Sequence, residues 1–112
     1  MKKIKLFNDY GAYPIWIYDE NNILIINDLP NELSNNNKAI ELRDFLTNEY
    51  EKLFINNSYE FSFIGFKTTE SKNEFINCAN KFYELLKKEV GHKYLIENNL
   101  LKDLNAKDDK KK

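Results

Sequence analysis

The sequence predicts an α+β domain, a small antiparallel or mixed sheet with two helices packed on one face. Three observations carry this prediction. Two segments, residues 38–54 and 71–90, repeat apolar residues every three or four positions, the period of an amphipathic helix. Short runs rich in Ile, Tyr, Phe and Trp, bounded by Asn, Asp, Gly and Pro, have the composition of strands and turns. Between the helical segments, Tyr59-Glu60-Phe61-Ser62-Phe63-Ile64-Gly65-Phe66 alternates aromatic and polar residues over its first five positions. That is the period of a strand, and it makes this run the expected central strand, covered by helices on one face.

The elements follow in order. Ile4 to Phe7 is a first strand, and Asn8-Asp9-Tyr10-Gly11 has the residues of a turn. Ala12-Tyr13-Pro14 is extended, because the residue before a proline is excluded from helical geometry. Ile15–Tyr18 and Ile23–Ile26 flank the polar tip Asp19-Glu20-Asn21-Asn22 and form a hairpin. Asn27-Asp28-Leu29-Pro30 closes the second of these strands, with Asp28 capping a brief helical turn through Leu33. The polar linker 34–37 feeds the first helix, capped by Asn36 or Asn37, with Ala39, Leu42, Phe45, Leu46, Tyr50 and Leu53 on its inward stripe. Asn56-Asn57-Ser58 ends that helix. In the second, Ser71 and Glu74 fit a capping box, in which each side chain satisfies a backbone donor at the helix start. Phe75, Ala79, Phe82, Leu86 and Val90 form its stripe, widened by Ile76 and Tyr83, and Gly91 stands where a left-handed closing residue belongs. Residues 92–97 make a last short strand, so the order is β-β-β-α-β-α-β. One domain covers residues 1–104, with 98–104 unassigned, and residues 105–112 are a disordered Lys-rich tail.

Composition narrows the function. At 112 residues the chain can bury a core without disulfides or metal. Aromatic content of 14% exceeds what so small a core can hide, which leaves some rings on a surface. A formal charge of -1 is neither that of a nucleic-acid binder nor that of a strongly acidic mimic. The last six residues hold four lysines against two aspartates, so the folded part is mildly acidic. A single cysteine fits a reducing cytosol, and neither a signal peptide nor a run of about 18 apolar residues occurs, which predicts a cytoplasmic protein without membrane contact.

No catalytic signature emerges. His92 is the only histidine and reads as a surface or capping residue; with one Cys and one His there is no metal-ligand spacing. Cys78 lies mid-helix without an electropositive neighbourhood and reads as a small core-edge residue. Gly11, Gly65 and Gly91 are isolated, so no phosphate-cradling loop exists; Gly65 points to a bulge or a close helix approach. The expectation is a protein that is not an enzyme and needs no cofactor or metal. What remains is a surface: Asp9, Asp19, Glu20, Asp28 and Glu32 lie in or beside loops that enclose Tyr10, Tyr13, Trp16 and Tyr18. These are either core rings with ordinary turn acids or an aromatic-plus-acidic patch for a basic protein partner.

The run Phe7-Asn8-Asp9-Tyr10-Gly11-Ala12-Tyr13-Pro14-Ile15-Trp16, with the tip at 19–22 and Asp28-Leu29-Pro30, resembles the small immunity proteins of contact-dependent growth inhibition and related polymorphic toxin systems. Leu53-Phe54-Ile55-Asn56-Asn57 and Phe61-Ser62-Phe63-Ile64-Gly65-Phe66 extend the likeness, which spans residues 4–97. The resemblance implies a stoichiometric inhibitor of a cognate toxin domain, often a nuclease, with no residue roles attached. The expected contacts are Asp9, Tyr10, Tyr13, Asp19, Glu20 and Asp28, on a protein that is a monomer or weak homodimer when free. The rival expectation is a homo-oligomeric structural or adaptor domain whose aromatics pack against a second copy.

Overall fold

The N-terminal strand, not the aromatic run 59–66, occupies the middle of the sheet. In the computed structural model, which describes residues 1–102 and 104, the strands are β1 (Lys2–Leu6), β2 (Ile15–Tyr18), β3 (Leu24–Ile26), β4 (Phe54–Asn56), β5 (Phe61–Phe63) and β6 (Tyr94–Asn98). The helices are α1 (Asn37–Glu51) and α2 (Thr69–Val90), with a 3-10 turn at Asn31–Leu33. A four-stranded sheet runs β3-β2-β1-β6, and β4 and β5 form a separate two-stranded sheet. β1 is antiparallel to β2, with Ile4 opposite Ile17, and parallel to β6, with Ile4 opposite Ile96, so the main sheet is mixed. The α+β prediction therefore holds. The expected tail, 105–112, lies outside the described residues.

Alternation divides the sheet into a covered and an open face. Ile4, Leu6, Ile15 and Ile17 are buried and share one core with Ala39, Leu42, Leu46 and Tyr50 of α1 and Phe75, Ala79, Phe82, Leu86 and Val90 of α2. Both helical stripes are thus those read from the periodicity, and the two helices pack on each other and on this face. Lys3, Lys5, Trp16 and Tyr18 alternate with the buried residues and stand on the open face. Phe7 stacks on Trp16 there, with centroids 4.7 Å apart and planes within 2°. Lys5 lies over the Tyr18 ring at 4.6 Å.

Four expectations need correction. The run 59–66 is a strand only over Phe61–Phe63, in register with Phe54–Asn56, and it does not join the main sheet. Its rings make a local cluster, and Tyr59 is 95% exposed. The chain leaves strand geometry at Gly65, whose φ of 77° is open to glycine at little cost, while Ile64 and Gly65 both donate to the Leu53 carbonyl. The first helix stops at Glu51, because residues 54–56 enter that small sheet. The second helix starts one turn earlier than its capping box: Thr68 is the N-cap, its Oγ1 accepting from the Ser71 N–H at 3.0 Å. Gly91 has φ of -61°, not a left-handed value. What requires glycine there is crowding, since a Cβ would collide with the Lys87 carbonyl oxygen.

Candidate functional site

The loop between β1 and β2 is pinned from below. Asn8 is buried and its Nδ2 donates to the Leu100 carbonyl at 2.7 Å, and Gly11 turns the chain with φ of 79°. Asp9 is exposed; its carbonyl oxygen accepts from Ala12 N–H. Tyr10 is half-buried, edge-on to Phe54 at 5.2 Å and to Phe61 at 4.9 Å, and its hydroxyl accepts from Asn56 Nδ2 at 3.1 Å. The loop is thereby tied to the small β4–β5 sheet. Beside that sheet a cavity of about 400 Å³ opens between Leu53, Phe54, Ile64 and Phe66.

Tyr13 and Asp28 meet through a residue that the sequence reading did not single out. The Arg43 guanidinium lies 4.3 Å over the Tyr13 ring, Nη1 donates to Asp28 Oδ1 at 2.7 Å and Nε to Asp44 Oδ1 at 2.9 Å. Burial opposes the charge on Arg43, but the hydrogen bonds it donates to Asp44 and Asp28 and the negative charge of those carboxylates outweigh it, so the guanidinium pKa is raised. Asn27 completes the junction: its Nδ2 donates to the Tyr13 and Ile15 carbonyls, and its Oδ1 accepts from Tyr13 N–H. Both polar groups of the amide replace strand pairing where β3 ends.

Asp19 and Glu20 lie at the opposite end of β2, because an antiparallel hairpin separates its tip from its base. Four residues of strand put roughly 13 Å between the two ends. The structure therefore groups Asp9, Tyr10, Tyr13 and Asp28 near one end and Asp19 with Glu20 at the other. Asp19 is a turn residue, its Oδ1 accepting from Asn21 N–H at 2.8 Å and Ile23 N–H at 3.0 Å, and Asn22 takes the left-handed φ of 63°. Glu20 is exposed and makes no ion pair among the described residues.

The edge that joins these two ends is apolar. Ile23, Leu24, Ile25 and Ile26 are 61, 46, 51 and 46% exposed, and β3 has a neighbour on one side only. Its pairing with β2 shifts register between Ile17 and Tyr18. An apolar run without alternation reads as a strand buried on both faces; here the helices stop short of it. From Asp19 to Asn37 the chain holds four carboxylates and no Lys or Arg, a signal visible in the sequence. Two of those carboxylates are already answered: Asp28 by Arg43, and Glu32 by Lys93 at 3.5 Å and the Tyr94 hydroxyl at 3.1 Å.

Among the described residues no group of three or more His, Cys, Asp or Glu could hold a metal ion, and no helix is long and apolar enough to cross a membrane. Residues 2–99 match the family described as Serratia CdiI immunity protein-like. No curated protein matches the chain.

Proposed function

From its membership of the Serratia CdiI immunity protein-like family, to which this chain belongs, we propose that it is a cytoplasmic immunity protein that binds one cognate toxin domain and neutralises it by occupancy, without turnover. The family match over residues 2–99 is the observation that carries this reading. The surface is compatible with it. Asp19 and Glu20 at the hairpin tip and Asp9, Tyr10, Tyr13 and Asp28 at its base are the proposed contacts, with carboxylates that speed capture of a cationic partner and rings that anchor it. A nuclease, whose substrate cleft is cationic, suits such a surface. The test is to look for a long secreted protein encoded beside this chain, as this reading expects, and to co-express its C-terminal domain with the chain. The expected result is restored growth and a stable one-to-one complex on co-purification. Continued killing with no complex would sink the proposal. The exposed apolar edge at 23–26 also favours a second reading, self-association; light scattering of the isolated protein decides it, a stable dimer supporting the adaptor alternative.

A further inference from the structure

We infer that the cleft between the β1–β2 loop and the last turn of α1 receives a lysine or arginine side chain of the toxin domain, with Glu51 as its counter-ion. This inference rests on the proposed neutralisation of a toxin domain and names one contact at the base of the hairpin.

Gly11, Ala12, Tyr13 and Asn27 line this cleft from the hairpin side and Thr47 and Glu51 from α1, around a volume of about 310 Å³. A Cβ on Gly11 would meet nothing within 4 Å, so the cleft is open on that side. Its polar groups are acceptors or already engaged. The Asn27 amide is occupied by the backbone of Tyr13 and Ile15. The Thr47 hydroxyl donates to the Arg43 carbonyl at 2.7 Å, which leaves only its lone pairs to offer. Glu51 is half-buried and makes no ion pair or side-chain hydrogen bond among the described residues.

The charges around Glu51 do not answer it. Lys52, its neighbour in sequence, pairs with Glu49 at 2.7 Å, and both line the separate cavity at Leu53 and Phe66. Arg43, over the Tyr13 ring, is shared between Asp28 and Asp44, so one positive and two negative groups leave that junction at -1. The last turn of α1 holds no basic residue, and a helix C-terminus carries a partial negative charge of its own. A negative cleft furnished with acceptors calls for a cation rich in donors, which among side chains means Lys or Arg. An apolar or acidic side chain seated there would strip water from Glu51 and leave it unpaired. A metal ion would find too few ligands, since no group of three His, Cys, Asp or Glu could hold one among the described residues.

The test measures affinity and release rate of the full chain for the C-terminal domain of the neighbouring secreted protein that the neutralisation reading expects. Glu51→Gln keeps the shape and removes the charge. It should melt no earlier than the native chain, because a negative charge at a helix C-terminus opposes the dipole. Its dissociation constant should nevertheless rise about tenfold or more, chiefly through faster release. Glu41→Gln, at an exposed carboxylate near the start of α1, should leave binding unchanged. Thr47→Lys places an ammonium of this chain one turn before Glu51 and should weaken binding likewise. A double-mutant cycle then names the occupant: of the toxin domain's Lys and Arg residues replaced singly by Ala, one should lose its effect in the Glu51→Gln background. Undiminished binding by Glu51→Gln overturns the inference. So does its earlier melting, which would tie Glu51 to the fold, and so does equal weakening by Glu41→Gln with no coupled basic residue, which would reduce the contact to a general field. Each of these spares the neutralisation reading; absence of any complex with the native chain sinks both.

Discussion

Arg43 donates to Asp28 and Asp44 while lying over Tyr13, so one side chain joins α1 to both ends of the segment that carries β2 and β3. Lysine keeps the charge but cannot make this forked contact. Arg43→Lys should lower unfolding stability by about 1–2 kcal/mol in a denaturant titration; no loss would show the junction to be incidental. Glu32 makes a pH-dependent tie. Its carboxyl is held below the ordinary carboxylate range by its own backbone N–H, against the opposing effect of burial, with help from the Tyr94 hydroxyl and from Lys93. A depressed carboxyl stabilises the fold above its ordinary pKa and loses that contribution as pH falls through the folded value. Wild type should therefore be more stable than Glu32→Gln at about pH 7, with the gap closing toward about pH 3. Cys78 behaves oppositely. Burial raises its thiol pKa and outweighs Lys81, so alkylation should be slower than for a free thiol at the same pH. Faster reaction would contradict this placement.

At the scale of elements, the start of α2 separates two caps. Thr68→Ala removes the acceptor for Ser71 N–H and should cost about 1 kcal/mol, with Ser71→Ala costing less, as thermal unfolding would report. The reverse order would restore the capping box at Ser71. This is also where the sequence was legible only in part. The stripe Phe75, Ala79, Phe82, Leu86, Val90 is read correctly because five apolar residues at helical spacing admit one inward face. The cap is misplaced because Thr68 and Ser71 carry the same chemistry three residues apart. The hairpin 15–26 is legible from its tip, since Asp19 and Asn22 suit a turn for local reasons. Residues 59–66 mislead because aromatic alternation describes a strand equally well in a central sheet and in a two-stranded side sheet; only long-range pairing distinguishes them. Arg43 could be noticed as the single arginine, but its partners Tyr13 and Asp28 are brought to it by the fold.

Over the whole molecule, acidic residues gather around the first hairpin while Lys3 and Lys5 stand on the open sheet face, so the field is uneven although the formal charge is only -1. Reversing a charge in the acidic part should change the rate of capture more than the rate of release. Glu20→Lys is the clean variant, because Asp19 also closes the turn through Asn21 and Ile23. Stopped-flow association with the toxin domain should slow several-fold, while dissociation is little altered; full protection of cells together with an unchanged association rate would remove the tip from the contact surface. The placement of β1 has a consequence for biogenesis. Its two flanks come from residues 15–18 and 94–98, so during synthesis one side of the innermost strand stays bare until the last strand leaves the ribosome. A nascent polypeptide halted before residue 94 would carry a second raw border and be prone to misassembly. Whatever this surface does for the cell therefore waits until residues 94–98 have been made and have paired with the innermost strand.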